Sequence, residues 1–262
     1  MVCDCIGLAK LIHQQRPMYV SKSAILCVYP HMNRPLPYLS QQHVGFPPVE
    51  DAFEEPSGLL AAGGGLSPEW LIAAYSQGIF PWFSDPEPIL WWSPDPRSIL
   101  HPADAHCSKS LAKFMRKAEF RVTFDQCFDA VIDACSAARR NETGTWITQE
   151  MKHAYSDLHS LGLAHSVETW IDGELAGGLY GVSLGGAFFG ESMFSRRDNA
   201  SKIAFISLAR QLNSWGFQLL DCQVHSPHIA SLGAKEVKRC RFMTILNEAL
   251  AVPPPSEWIF DG

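Results

Sequence analysis

The fold is decided by the stretch GVSLGGAFFGESMFSRRDNASKIA at 181–204, together with LLDCQV at 219–224. Two strand-like runs flank a helical segment here, and each run carries polar side chains among apolar ones. Because side chains alternate along a strand, the spacing predicts that Asp221 and Gln223 lie on the same face. A carboxylate beside an amide makes a poor core but a pair that can bind and handle a proton. We therefore expect chemistry at this strand.

The segments around this stretch predict an antiparallel sheet with a helix after it. Runs 165–171 and 174–184 are separated by Asp172-Gly173, a pair typical of a type I′ hairpin turn. A further turn leads into the run 187–195, and 200–215 has the length and apolar spacing of a helix. The order of these elements is a meander, a helix and a last strand.

The N-terminal part of the chain contains one clear helix and a segment rich in proline and tryptophan. Ser67 is a natural N-cap, Pro68 suits the first helical position and Gly78 suits the position after the helix. The segment 79–97 is predicted to be mostly irregular, forming either a rigid binding surface or a Trp–Pro core. Residues 1–44 show no periodicity and are interpreted as an extension, either disordered or the result of a start assigned too early.

A helix beginning near Ser108 is predicted to carry its positive charges on one face. Its cations fall at i, i+4, i+7 and i+8, and apolar residues occupy the opposite face. The cationic face is either solvated surface or a ridge that contacts RNA phosphates. The cations are Lys109, Lys113, Arg116 and Lys117.

The charge of the chain is unevenly distributed. The net charge is −6, which by itself opposes nucleic-acid binding. The stretch from Leu36 to Pro96 holds eight acidic residues and no lysine or arginine, which leaves 21 basic against 19 acidic residues elsewhere. The acidic stretch either attracts a cationic partner or serves solubility, and composition leaves both open.

Composition also limits the class of protein. No run approaches the roughly 18 apolar residues of a membrane span, and no basic start precedes a long apolar run, so we expect neither a membrane protein nor a signal peptide. The eight cysteines form no CxxC pair, which argues against a zinc ribbon and favours a reducing cytoplasm.

Five motifs carry a resemblance to a known family. They are GIFPWF (78–83), WWSPDPR (91–97), GTWIT (144–148), FGESMF (189–194) and DCQ (221–223). With them, the chain resembles the leucyl/phenylalanyl-tRNA–protein transferase family from about Phe46 to about Leu246. The resemblance implies an α+β fold, with a small Trp/Pro-rich N-terminal domain at 45–98 and a GNAT (acetyltransferase-like) catalytic domain at 99–250. Residues 251–262 are then a tail.

The activity that the resemblance implies is aminoacyl transfer. Leu or Phe, and less readily Met, moves from aminoacyl-tRNA to the N-terminal Arg or Lys of acceptor proteins and marks them for N-degron degradation. An activated ester becomes an amide, so the reaction implies no cofactor, no metal and no covalent enzyme intermediate. We expect a cytoplasmic monomer whose partners are aminoacyl-tRNA and acceptor proteins.

The resemblance also implies roles for individual residues. Gln223 orients the attacking amine, Asp221 holds or polarises Gln223 and helps take up the proton, and Glu191 binds either the ester or the acceptor's ammonium. Trp82 and Trp146 bind the terminal adenosine of the tRNA. The aminoacyl pocket is Leu179, Phe188, Gly190, Phe205, Leu208 and Leu220, and the tRNA phosphates contact Lys109, Lys113, Arg116, Lys117 and Arg121.

Three other functions fit parts of the sequence less well. A CoA-dependent N-acetyltransferase would need a Gly-rich loop before the helix, but 195–199 reads SRRDN. A Cys–His hydrolase would use Cys222 with His225 or His228, but no orienting acid is evident. A non-catalytic tRNA-binding protein would have no need of Asp221, Gln223 and Glu191.

Overall fold

The computed structural model describes residues 34–140 and 146–260, and the side chains of all of these except 139 and 140. The chain divides into two compact units, Met1–Pro96 and Arg97–Gly262. Most of the predicted extension, residues 1–33, lies outside the described residues.

The N-terminal unit is built on a four-stranded sheet in the order β1-β2-β4-β3. β1 runs parallel to β2, and the other pairs are antiparallel. The small sheet begins before the predicted domain boundary at residue 45, because β1 lies within 34–44. Its elements are β1 (Tyr38–Leu39), β2 (Leu59–Gly63), β3 (Phe80–Pro81), β4 (Leu90–Trp92), a 3₁₀ turn (Val49–Asp51) and helix α1 (Pro68–Ser76).

The ends predicted for α1 are confirmed. Ser67 precedes the helix with extended backbone, Pro68 is its first residue, and Gly78 follows it at φ +70°. The segment 79–97 is less irregular than predicted, because β3 and β4 pair within it. Trp91 is fully buried in this sheet, as a Trp–Pro core requires.

The C-terminal unit is built on a seven-stranded sheet in the order β11-β5-β10-β9-β8-β7-β6. Only β9 and β10 run parallel among these pairs. The strands are β5 (Arg97–Leu100), β6 (Arg121–Phe124), β7 (Ala164–Ile171), β8 (Glu174–Leu184), β9 (Ala187–Ser195), β10 (Leu219–Gln223) and β11 (Lys235–Val237). The predicted meander of β7, β8 and β9 is confirmed, and its type I′ turn has φ +55° at Asp172 and +78° at Gly173.

Six helices accompany this sheet in the described part of the unit, besides a 3₁₀ turn at Pro102–Asp104. They are α2 (Lys109–Lys117), α3 (Phe128–Arg140), α4 (Gln149–Ser160), α5 (Ala200–Ser214), α6 (Pro227–Ser231) and α7 (Arg239–Leu250). The predicted helix at 200–215 is thus confirmed as α5, which packs its apolar residues against the sheet in the main hydrophobic core. Among the described helices, none has the length and apolarity to cross a bilayer.

Candidate active site

The two parallel strands of the large sheet separate at the point where the predicted site residues lie. β9 and β10 pair from Ala187 opposite Leu219 as far as Phe189 opposite Asp221, and the pairing ends there. Glu191 and Gln223 each lie two residues beyond the last pair along their strands. Polar side chains therefore collect where the two strands stop bonding to each other.

Each of the two strands carries a bulge at this point. In β9, Gly190 pairs with Gly181 and Ser192 pairs with Tyr180, so Glu191 is the extra residue. Gly181 has to be glycine because a Cβ atom there would lie 2.2 Å from the carbonyl oxygen of Phe189. A bulge turns its side chain away from the regular alternation and strengthens the local twist.

The bulge in β10 changes the predicted relation between Asp221 and Gln223. Asp221 pairs with Ile99 and Gln223 pairs with Ser98, so Cys222 is the extra residue. Gln223 has a left-handed backbone with φ +61°. The two residues do meet, but the Asp221 carboxylate accepts the backbone N–H of Gln223 at 2.9 Å and not its side chain. The regular alternation along the strand was therefore the wrong reason for expecting them together.

Asp221 is held by an arginine that sequence reasoning did not assign to the site. Arg97 Nε donates to Asp221 Oδ1 at 2.9 Å, and Arg97 Nη2 donates to Oδ2 at 2.6 Å. Both side chains are fully buried, and the guanidinium lies 4.6 Å from the ring centre of Phe242. Its position as the first cation after the base-free stretch that ends at Pro96 marks Arg97 in the sequence but gives no sign of its carboxylate partner.

Gln223 and Glu191 are joined by a side-chain hydrogen bond. The Gln223 amide nitrogen donates to Glu191 Oε1 at 2.8 Å, and the Tyr155 hydroxyl donates to Glu191 Oε2 at 2.8 Å. Because a carboxylate only accepts, it fixes which end of the Gln223 amide faces it. The amide oxygen is left without a protein donor among the described residues, so it can accept a hydrogen bond from a ligand. The sequence does not indicate a site role for Tyr155, because Tyr155 occupies one of the apolar positions of α4.

The thiol of Cys222 is not suited to nucleophilic attack. Burial raises its pKa, and the neighbouring Asp221 carboxylate raises it further, while Arg97 opposes this weakly. Burial lowers the pKa of His228, with a smaller contribution from Lys202. The imidazole of His225 lies 3.9 Å from Glu236. These groups therefore do not form an activated Cys–His pair.

The residues predicted for the aminoacyl pocket lie close together. Five of the six are fully buried members of one hydrophobic cluster between the sheet and α5, and these are Leu179, Phe188, Phe205, Leu208 and Leu220. The sixth, Gly190, lies at the β9 bulge, where a Cβ atom would be 3.6 Å from the Asp221 carbonyl oxygen. The cluster thus adjoins the polar residues of the site.

The cationic face of α2 is exposed as the helical spacing predicts. Ser108 caps the helix by accepting the N–H of Leu111, and Leu111 is buried. The exposed cations are Lys109, Lys113, Arg116 and Lys117, with Arg121 exposed at the start of β6. The guanidinium of Arg121 also lies 5.4 Å from the ring centre of Trp170.

The two predicted adenosine-binding tryptophans belong to different units. Trp146 is half-buried just before α4. Trp82 is 44% exposed in the N-terminal unit, although its ring lies 5.6 Å from that of Trp92. Within the described ranges, no group of three or more His, Cys, Asp or Glu side chains is arranged to hold a metal ion.

Comparison with known proteins identifies relatives of both units. The family model described as leucyl/phenylalanyl-tRNA protein transferase matches residues 99–247, and the model of that family's N-terminal domain matches residues 64–95. A solved structure of a conserved protein of unknown function from Bacteroides thetaiotaomicron is only distantly similar. Its TM-score is 0.39 at 11% identity, covering 78% of this chain and 70% of that one.

Curated relatives are much closer. A protein of Nitrosomonas europaea named leucyl/phenylalanyl-tRNA–protein transferase is 57% identical over 82% of this chain and 92% of its own length. A protein of the same name from Chromohalobacter salexigens is 58% identical over 84% of this chain and 86% of its own length. Identity this high over nearly the whole of both proteins means that the chain belongs to the leucyl/phenylalanyl-tRNA–protein transferase family.

Proposed function

We propose that this chain transfers Leu or Phe, and less readily Met, from aminoacyl-tRNA to the N-terminal Arg or Lys of acceptor proteins. The observation that carries the proposal is the Gln223 amide, which Glu191 holds where β9 and β10 separate and whose oxygen accepts no bond from any described residue. The names of the relatives supply the reaction class, and the geometry supplies a group able to serve it.

The reaction requires no cofactor or covalent intermediate from the protein. The acceptor's α-amine forms a bond to the ester carbonyl carbon, and the bond from that carbon to the ribose oxygen breaks. One proton leaves the nitrogen and one is gained by the departing oxygen, so atoms and charge balance without a cofactor. Catalysis then consists of holding the ester, aligning the amine and assisting this proton transfer.

Gln223 aligns the amine in this proposal. Its unpaired amide oxygen accepts one N–H of the attacking amine and so directs the nitrogen lone pair at the ester. Glu191 is held by Tyr155, and its hydrogen bond to the Gln223 amide nitrogen prevents the amide from flipping. This gives Glu191 an orienting role, in place of the two roles between which the sequence could not decide.

The aminoacyl side chain lies in the apolar cluster formed by the predicted pocket residues. Such a pocket separates substrates that differ by a methylene by only about 1–3 kcal/mol, so some exchange among Leu, Phe and Met is expected. Leu179, Phe188 and Leu220 contribute from the sheet, and Phe205 and Leu208 contribute from α5.

The tRNA contacts are proposed for the exposed cations and the two tryptophans. Lys and Arg side chains along one helix face neutralise phosphates of the acceptor stem, and Trp82 and Trp146 each offer an indole ring able to stack on an adenine base. A protein that uses charged tRNA works in the cytoplasm, and we propose that it does so as a monomer. The acidic N-terminal unit would attract the acceptor's basic residue.

The catalytic unit is proposed to have a GNAT-like arrangement, with the substrate between the separated strands β9 and β10. An acetyl-CoA donor is nevertheless disfavoured. At the start of α5 the N–H of Ala200 bonds to the Arg197 carbonyl, and the N–H of Ser201 bonds to the Ser195 hydroxyl. These donors are therefore used internally and do not form the pyrophosphate cradle that CoA enzymes need.

The proposal is tested by following labelled leucine from Leu-tRNA to a peptide that begins with Arg. A peptide that begins with Gly and is otherwise identical is the control. Transfer to the Arg peptide alone supports both the reaction and the acceptor rule. No transfer by folded protein, tested also with Phe-tRNA and Met-tRNA, would overturn the proposal.

The tRNA-binding face is tested by changing Lys113 and Arg116 to alanine together. If both contact duplex phosphates, the slope of log affinity against log salt becomes shallower by about 2, because each contact contributes about 0.9. The matched control changes Lys238 and Arg241, which are exposed near the start of α7. Equal slopes for both double variants would rule out the α2 face.

A further inference from the structure

We propose that Arg97 is a positioning residue for the transfer reaction, acting through Asp221 on the backbone of Gln223. In this role Asp221 holds Gln223 in place and does not itself take the proton of the amine. The inference rests on the proposed function for the identity of the reaction, but the geometry that it concerns can be measured without any reaction.

The contacts of Asp221 leave it poorly placed to exchange protons with a substrate. Oδ1 accepts both Arg97 Nε and the N–H of Gln223, each at 2.9 Å, and Oδ2 accepts Arg97 Nη2 at 2.6 Å. The Asp221 side chain is fully buried. A general base has to come within hydrogen-bond distance of the proton that it removes. The enclosed carboxylate does not meet that condition, whereas Gln223 is only partly buried.

Gln223 needs to be held, because its backbone conformation is unfavourable for a residue with a side chain. Its φ of +61° lies in the left-handed region, which such residues occupy only where their surroundings impose it. The bulge at Cys222 has also shifted the ladder between β10 and β5 at this residue. The Asp221 carboxylate supplies a bond to the Gln223 N–H at this shifted position.

Arg97 gives that carboxylate a fixed direction. A bidentate guanidinium sets both the position and the plane of a carboxylate, which a single ammonium cannot do. Arg97 is the first residue of β5, the strand beside β10, and the ring of Phe242 from α7 lies against its guanidinium. The chain of contacts therefore runs from β5 through Asp221 to the Gln223 backbone, and through the Gln223 amide to Glu191.

The experiment compares Arg97→Lys with wild type by hydrogen exchange and by transfer kinetics. Arg196→Lys is the matched control, because Arg196 is an exposed arginine that follows β9 and also lies against a ring. We expect faster exchange in a peptide covering 219–224 for Arg97→Lys, with the β7–β8 hairpin unchanged. At a temperature well below melting, kcat is expected to fall by about tenfold to a hundredfold, since misplacement by about 1 Å costs on the order of a hundredfold. The KM for Leu-tRNA is expected to stay the same.

The pH profile separates positioning from proton transfer. If Asp221 only positions Gln223, Arg97→Lys lowers the rate by the same factor at every pH. A profile that changes shape in Arg97→Lys would show that the carboxylate titrates during the reaction, and it would overturn the proposal. Unchanged kcat and unchanged exchange at 219–224 would overturn it as well, since Arg97 would then be merely structural.

A second variant keeps the test decisive if Arg97→Lys does not fold. Asp221→Glu retains both charges and the arginine pairing but moves the carboxylate by one methylene. We expect loss of protection at 219–224 and a fall in kcat of at least about tenfold. Retained protection and wild-type kcat would contradict the proposal. If wild type shows no transfer at all, the proposed function fails, and the exchange measurement still decides whether Arg97 holds Gln223.

Discussion

Two buried glutamates of the same sheet, Glu168 in β7 and Glu191 in β9, are held by similar numbers of donors but in different surroundings. Glu168 is fully buried and accepts the hydroxyls of Thr123 and Ser166, both at 2.5 Å. Glu191 is 7% exposed and accepts the Tyr155 hydroxyl and the Gln223 amide, both at 2.8 Å. Each carboxylate is therefore satisfied, and hydrogen-bond number alone does not tell a structural group from a functional one.

The two glutamates differ in the further contacts that their hydrogen-bond donors make. Thr123 also accepts Trp170 Nε1 at 2.8 Å, so the hydroxyl that donates to Glu168 is itself bonded to a further side chain of the sheet. Glu168 pairs in register with Thr123 on β6 and with Gly178 on β8. Glu191 lies instead at a bulge, and the amide oxygen of its donor Gln223 has no protein donor within the part of the chain that the structure describes. The regular strand thus encloses the Glu168 carboxylate, whereas the bulge places Glu191 beside a partly buried amide.

The largest effect is expected for Gln223→Ala, which removes the amide proposed to align the attacking amine. Transfer should fall by at least about a hundredfold, within the 10²–10⁴ that positioned proton-handling groups contribute. The melting temperature should hardly change, because Gln223 is only partly buried. Gln218→Ala is the matched control, since Gln218 is a half-buried residue just before the other end of β10. Equal loss in both variants would mean that β10, and not Gln223, was being tested.

A smaller effect is expected for Tyr155→Phe, which leaves Glu191 in place but removes one of its donors. A hydrogen bond to a charged group contributes about 1.5–3 kcal/mol. Without the Tyr155 donor, Glu191 is held less firmly, and it therefore orients the Gln223 amide less well. We expect transfer to fall by about tenfold, with unchanged KM for the tRNA. Tyr180→Phe is the control, because its ring lies 5.4 Å from that of Tyr155 in the same buried layer. If Tyr155→Phe lowered only the stability of the protein and not the rate of transfer, Glu191 would have the same structural role as Glu168.

The sequence predicted the elements of the C-terminal unit well, because its helices and strands have regular spacing and marked ends. Asp172-Gly173 shows this at the hairpin, and Ser108 shows it at the start of α2. The bulges at Glu191 and Cys222 were not predictable in the same way. Each depends on how two strands fit against each other, as Gly181 does against Phe189, which the pattern within one strand does not record.

The site was only partly predictable for the same reason. Asp221, Gln223 and Glu191 were found through motifs, and the structure brings them together by hydrogen bonds. Arg97 lies 124 residues from Asp221 along the chain, and nothing in its own segment indicates a carboxylate partner. The roles of all these residues in transfer stay predictions.

A third prediction separates the two glutamates directly. Glu168→Gln replaces one accepting oxygen by a donor in a closed cluster, which should lower the stability by about 1–3 kcal/mol. That corresponds to a fall in melting temperature of about 2–4 °C per kcal/mol for a unit of this size. Below melting, kcat should equal that of wild type. Glu191→Gln is the counterpart and should lower kcat while changing the melting temperature less. The reverse result would assign the functional role to the β7 cluster.

The smallest effect on transfer is expected from modification of thiols. One cysteine, Cys127, lies near Glu168, and another, Cys222, lies near Asp221 in the candidate site. Burial and then Glu168 raise the pKa of Cys127 to about 11, and burial and then Asp221 raise that of Cys222. The thiolate is the reactive form, so at pH 8 only on the order of one Cys127 in a thousand is reactive, and that fraction grows as the pH rises toward 11. Among the cysteines that the structure describes, iodoacetamide at pH 8 should therefore modify the exposed Cys240 first and leave transfer intact. Peptide mapping of the alkylated protein measures this, with Cys240→Ser as the control. Loss of transfer in step with modification of Cys222 would contradict the geometry, because it would require a thiolate where burial and Asp221 both oppose one.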